Sequence, residues 1–406
     1  MLLGETTNHS AQLPPPPGLV PHSLPEFNEA YGESLDQALD LATWHLGEDL
    51  LASYGRLEAE VSLALERESQ YRKSLRDAVF PLLHTSPGAP DSAGVYQASQ
   101  SSLEQIHRGL LFSGAVEAAN GISVVHSTLP LSITQVGVCL VTYDGNQGTW
   151  AHRMFRRDLR AQYDNPVQEV LDVLRRRQRR SDNNPGDDAL SNLARRGILA
   201  YAERAMLRDR SDATWRMGHG NPVPFELISG LWISNLRNLR MALDLVEWYV
   251  ENGRFVFVPN RTQKRHLLMI GYALRPLEYA IVGTLEPEIR NIIDLGHYRD
   301  EGGVRPEMER FCAEVAPSIV IGVFRVWGGA PPCLFYAHAN HVHVAAHIAM
   351  ADAMLQQYRG FPMLLDLANV VCRTTFGVDS LIPGVQSAYA DAGAPMQSLG
   401  DSPSGR

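Results

Sequence analysis

The segment ILAYAERAML (Ile198–Leu207) reads as a largely apolar helix in which Glu203 is the one carboxylate. A buried carboxylate requires a cation or hydrogen-bond donors, so Glu203 calls for an arginine partner or a place in a metal site, unless it is simply exposed. Further on, TWRMGHGNPVPFE (Thr214–Glu226) runs a strand-like stretch into a turn constrained by Gly220, Pro222 and Pro224, with His219 and Glu226 upon it. Near the end of the chain GFPMLLDLANVVCRTTFG (Gly360–Gly377) reads as a helix entered through Gly-Phe-Pro. Its run of Met, Leu and Val is interrupted by a short polar string from Asp366 to Asn369.

Two further constellations admit chemistry. In HANHVHVAAH (His338–His347) only His343 and His347 share a helix face at i, i+4, and no acid appears before Asp352, so a structural or partner-facing role fits better than metal ligation. The run RRRQRR, comprising Arg175, Arg176, Arg177, Arg179 and Arg180, closes a helical pattern. Cations stabilise such an end through the helix dipole. Together with Arg153, Arg156, Arg157 and Arg160 upstream, the run is alternatively a patch for phosphates. There is no P-loop, GxGxxG after a strand, GxSxG or HExxH, which removes the common nucleotide-binding and hydrolase signatures.

The elements that would position these residues follow from pattern. GISVVHS (Gly121–Ser127) reads as a buried strand carrying His126, ITQVGVCLV as its neighbour, and TWAHRMFRRD as a third strand after the hairpin signal DGNQG. Helical patterns occupy 166–180, 187–208, 236–252, 341–358 and 362–376. Strands are expected at 254–260, 277–283, 318–327 and 332–338. The segment from Ser34 to Phe80 is helical with a break at Gly55, and Leu57, Val61, Leu65, Leu75 and Val79 form a stripe expected to face a core rather than a coiled-coil partner. Residues 1–25 are a Pro-rich leader expected to be disordered, 26–84 a helical region, 85–100 a linker, and 391–406 a disordered tail. A meander followed by strands alternating with helices implies an α/β fold: a mixed sheet of ribonuclease H-like type with flanking helices and a long N-terminal helical region.

Composition bounds the rest. The formal charge of −9 over 406 residues offers no global attraction to nucleic acid, so any such contact must be a local basic patch. Only Lys73 and Lys264 among the 36 basic residues are lysines, a bias that a lysine-poor proteome also produces. Four scattered cysteines without a CxxC pair argue against a disulfide framework or zinc ribbon and fit a reducing cytoplasm. The start of the chain has no basic n-region or apolar h-region, and no apolar run approaches the ~18 residues of a membrane span, so a cytoplasmic protein without membrane contact is expected.

The order of these motifs resembles the NurA family of DNA-end-processing nucleases over roughly residues 100–390. It comprises a strand ending in a polar-Ser pair (His126-Ser127), a hairpin, a helix with an inward Glu203, a strand ending His219-Gly220-Asn221, and a closing Gly-aromatic-Pro helix. The resemblance implies a ribonuclease H-like core, manganese, action on DNA ends in DNA repair, a homodimer, and partnership with a hexameric HerA-like ATPase. It aligns the family's metal-binding aspartates with His126 and His219, its glutamate with Glu203, and its closing histidine with Asn369. Glu226 or Asp366 is then a candidate for the missing negative charge. Two-metal phosphodiester hydrolysis needs anionic oxygen ligands, and two histidines would make a softer site suited to Zn²⁺, Ni²⁺ or a single Mn²⁺. Three functions stay open: a NurA-like metal-dependent nuclease, a catalytically inactive NurA-like structural subunit, or an α/β protein binding a small ligand near His219 and Glu226.

Overall fold

The computed structural model describes residues 33–44, 50–127, 131–145, 150–158, 192–233, 235–260, 264–295 and 303–396, together with 27–28, 167–168, 171 and 298. The chain divides into two units, Met1–Gln70 and Tyr71–Arg406. In the first, helix α1 (Leu35–Leu39) opens with a capping box: the Ser34 hydroxyl accepts from the Gln37 N–H, and the Gln37 amide oxygen accepts from the Ser34 N–H. Helix α2 (Leu50–Ala78) starts in this unit and from Tyr71 onward belongs to the second. It runs straight through Gly55, where the sequence suggests a break. Leu57, Val61 and Leu65, expected against a core, are 52%, 48% and 59% exposed. Helical periodicity places residues on a common face but does not supply what covers it.

The second unit is built on nine strands: β1 (Gly94–Gln97), β2 (Val116–Ser127), β3 (Leu131–Val141), β4 (Trp150–Asp158), β5 (Trp215–His219), β6 (Phe255–Val258), β7 (Glu278–Thr284), β8 (Ile319–Arg325) and β9 (Cys333–His338). They form one mixed sheet in the order β1-β7-β8-β9-β6-β5-β2-β3-β4. The meander β2–β3–β4 is antiparallel, β5 lies parallel to β2, and β6 lies parallel to β5. This is the ribonuclease H-like arrangement the sequence implies. From β6 outward, β9, β8, β7 and β1 are each antiparallel to their neighbour. The edge strand β1 lies inside the stretch 85–100 read as a linker, because a four-residue strand carries too little pattern to announce itself.

Among the described residues of this unit, ten helices cover the sheet: α3 (Gln100–Ile106), α4 (Asn192–Asp209), α5 (Phe225–Ile228), α6 (Leu236–Asn252), α7 (Arg265–Ala273), α8 (Glu286–Leu295), α9 (Val304–Glu314), α10 (Val342–Met354), α11 (Met363–Phe376) and α12 (Val378–Asp391). Of these, α3, α5, α7, α8, α9 and α12 fall where the sequence pattern suggests no element. Alternation along β6 sorts the two cores: Phe255 and Phe257 pack with Leu207 of α4, Leu243 of α6 and Phe311 of α9. Val256 and Val258 pack with Ile348 of α10, Leu364 of α11 and Leu103 of α3. Strand β6, FVFV and buried throughout, is a short apolar run, as a strand beneath two helical layers must be; β5 is buried as well but carries Arg216, which donates to the carbonyls of Leu207, Ala213 and Ser211. No helix among the described residues is long and apolar enough to cross a membrane.

Candidate functional site

Strand β2 outruns β5. Their parallel pairing ends at Ala119↔Gly218, so from Asn120 onward β2 has no neighbour on that side. A cleft of about 500 Å³ opens there, and Asn120, Glu203, His219, Glu226, Asp366 and Asn369 all line it.

Each side chain is placed by a local device. Gly121 lets α4 approach β2: a Cβ there would lie 2.5 Å from Leu199 Cδ1 and 3.0 Å from Glu203 Oε1. The Gly121 backbone N–H supports the Glu203 carboxylate, and Arg204 pairs with it at 3.6 Å. Burial outweighs both and pushes the Glu203 carboxyl up to about 7. Arg204, itself buried, donates to the carbonyls of Ala200 (2.6 Å), Pro222 (2.8 Å) and Asn221, and lies over the Phe257 ring. It thereby holds the turn after β5. Gly220, at φ 85, makes that turn, and the Asn221 side chain closes it by accepting from the Val223 N–H at 2.8 Å. Burial, then the nearby Arg204, holds the His219 imidazole below its ordinary value and therefore neutral.

The remaining acids are also claimed by arginines. Glu226, in the first turn of α5, accepts from Arg196 at 2.8 Å. Asp366 accepts from Arg359 at 2.5 Å and from the Gln356 amide at 2.7 Å, while Arg359 also donates to Asn260 and stacks over Phe361. Asn369 follows Asp366 by three residues on the same face of α11. The polar string in that helix is therefore its cleft-facing side.

His126 is not part of this constellation. It sits six residues beyond Asn120 on β2, opposite Ile133 and roughly 20 Å along the strand. It is buried on the face where Val124 packs with Leu381 and Val385 of α12. The residue that β2 contributes to the cleft is Asn120, whose amide oxygen accepts from the Gly121 N–H at 2.8 Å. The usable signal was the Asn-Gly pair inside a strand, since an interior glycine marks a close approach of another element. Arg175, Arg176, Arg177, Arg179 and Arg180 lie outside the described residues. Arg156 and Arg157 are placed through their backbone on β4, opposite Ile133 and Ser132 of β3.

The histidines of 338–347 have packing partners. His343 Nδ1 meets the Tyr279 hydroxyl at 2.9 Å, the Tyr96 ring packs edge-on against His343, and His338 Nδ1 accepts from the Asn340 N–H at 3.1 Å. Among the described residues no three His, Cys, Asp or Glu side chains are gathered to hold a metal ion. In the cleft, three carboxylates face three guanidiniums, and the groups that would complete a metal shell, Asn120 and His219, are neutral. Hard divalent cations need anionic oxygens whose charge is not already offset, so this donor set does not fit a two-metal centre.

No protein-family model and no curated protein matches the chain. Among solved structures it is similar to the NurA nuclease from Sulfolobus solfataricus, at 11% identity and a TM-score of 0.42 over 83% of this chain and 98% of that one. It is similar to a NurA with manganese at 8% identity and a TM-score of 0.37, covering 71% of this chain and 95% of that one. An endonuclease V from Bacillus subtilis matches at 9% identity and a TM-score of 0.30, over 77% and 91% of the two chains.

Proposed function

We propose that this chain is a NurA-like subunit that holds a nucleic-acid strand in the cleft between β2 and β5 and has lost two-metal hydrolysis. The observation that carries this reading is the pairing of every cleft carboxylate with an arginine, namely Glu203 with Arg204, Glu226 with Arg196 and Asp366 with Arg359. Such a cleft accepts phosphate more readily than it collects divalent cations, since an arginine fork matches phosphate oxygens. In this reading the substrate is a DNA end, the chain acts as a homodimer, and a HerA-like hexameric ATPase supplies the movement. These partners rest on the motif order described in the sequence.

One observation favours the hydrolytic alternative. A carboxyl raised to about 7 in a cleft exchanges protons near neutrality, which is what a general acid or base requires. Incubating purified protein with linear DNA and Mn²⁺ separates the two. The subunit reading expects strand binding with no cleavage above background, and Glu203→Gln should leave that binding within about twofold. Manganese-dependent cleavage that Glu203→Gln abolishes would overturn it and establish the nuclease.

A further inference from the structure

A second basic recess lies on the same rim of the sheet as the cleft. Strands β5, β6 and β8 run in one direction and end at one rim, with His219 closing β5 and Arg325 closing β8. In the strand order three spacings separate β5 from β8, roughly 15 Å. At the end of β8 a notch of about 430 Å³ is lined by Arg72, Lys73, Arg76, Asp77, Arg275 and Arg325. These side chains carry five positive charges and one negative.

The notch is built rather than incidental. Glu278, buried at the start of β7, grips Arg76 through two hydrogen bonds of 2.6 and 3.0 Å and accepts from the Arg275 backbone N–H at 2.7 Å. Arg325, 4% exposed, donates to the carbonyls of Tyr272 at 3.0 Å and Leu274 at 3.3 Å, and to that of Gly328. Lys73 and Arg275 are exposed at the mouth of this rigid floor. Convergent cations on a fixed frame lower the ordering cost of binding an anion.

We infer that this notch binds a phosphate group of the nucleic-acid strand whose neighbouring segment occupies the cleft. The inference rests on the nucleic-acid reading of the cleft, and the shared rim is what makes one strand the occupant of both. Lys73→Ala/Arg275→Ala tests it with little risk to folding, because both side chains are exposed; an unchanged melting temperature checks that. Binding of a 12-nucleotide single-stranded oligonucleotide is measured across a salt series. Each phosphate no longer neutralised removes about 0.7 from the slope of log K against log salt, so the double variant, which loses the one phosphate held in the notch, should lose about 0.7 and bind about 5-fold more weakly at 0.1 M salt. Arg196→Glu, at the cleft, is measured in parallel. Loss in both variants supports one strand across notch and cleft; loss in the notch variant alone overturns the cleft reading and with it the shared strand, and loss in Arg196→Glu alone overturns the notch while leaving the cleft reading in place. Wild-type protein that binds no oligonucleotide overturns the proposal. So does inorganic phosphate that binds wild type, but not the notch variant, while strand binding is equal in both.

Discussion

Asp352 shows how one residue can tie the fold to pH. It has no exposed surface on α10, yet its carboxyl accepts from the Tyr143 hydroxyl at 2.5 Å and from the Leu364 N–H at 2.8 Å, the latter in the first turn of α11. Burial dominates these donors and raises its value from the ordinary 3.8 to about 7. A group held above its unfolded value binds its proton more tightly in the folded chain. Its contribution is therefore complete below about pH 4 and is lost as pH rises through about 7, worth on the order of 4 kcal/mol across that span. Glu203 acts with the same sign. Urea denaturation should show stability falling between about pH 4 and pH 7, and Asp352→Asn should flatten that fall. Equal pH dependence in the variant and wild type would show that the proton resides elsewhere. Asp352→Ala should flatten it equally and, because it also orphans the Leu364 N–H, should be about 2–3 kcal/mol less stable than Asp352→Asn at every pH.

At the scale of elements, the cleft exists because α4 lies close against β2. Gly121 permits this, while Gly197 lets α4 meet α5 and Trp232 on its other side. A Cβ on Gly121 would meet Leu199 Cδ1 at 2.5 Å, and one on Gly197 would meet Trp232 Cζ2 at 2.2 Å and the Glu226 carbonyl at 2.4 Å. Gly121→Ala should therefore push α4 away and cost about 1–3 kcal/mol by overpacking. It should also weaken oligonucleotide binding, because Glu203 and Arg204 travel with the helix. A stability change below about 0.5 kcal/mol in urea melts would show that α4 adjusts without strain. The interior conformation of the alanine is not the obstacle, since Gly121 sits in a regular strand paired with Val138.

At the scale of the whole molecule, α2 carries an uncovered apolar stripe. Leu50, Tyr54, Leu57 and Val61 follow one another at intervals of four, three and four residues and are each about half exposed. That spacing is the seam of a two-stranded coiled coil. The proposed homodimer would bury it, so light scattering at micromolar concentration should report a dimer. Leu57→Glu/Val61→Glu should convert it to a monomer without lowering the melting temperature of the larger unit. A wild-type monomer, or a dimer indifferent to both substitutions, would place self-association elsewhere.

Periodicity and turn chemistry determined most of the sheet. The apolar runs of β2, β3, β6, β7, β8 and β9 and the Asp-Gly hairpin signal lie in local sequence, where period-two alternation or unbroken burial is visible without partners. The same holds for α6 and α11, and for Glu203, His219, Glu226, Asp366 and Asn369 as polar groups in apolar surroundings. What no local pattern contains is where β5 stops against β2. That long-range register makes Asn120 the cleft residue and leaves His126 beneath α12. The pairing of Glu226 with Arg196, which lies on α4 before β5, is equally non-local. The exposure of the α2 stripe depends on packing as well. Spacing along a chain fixes which side chains share a face, but the charge and solvent a face meets are set by elements distant in sequence, and only the tertiary structure decided those.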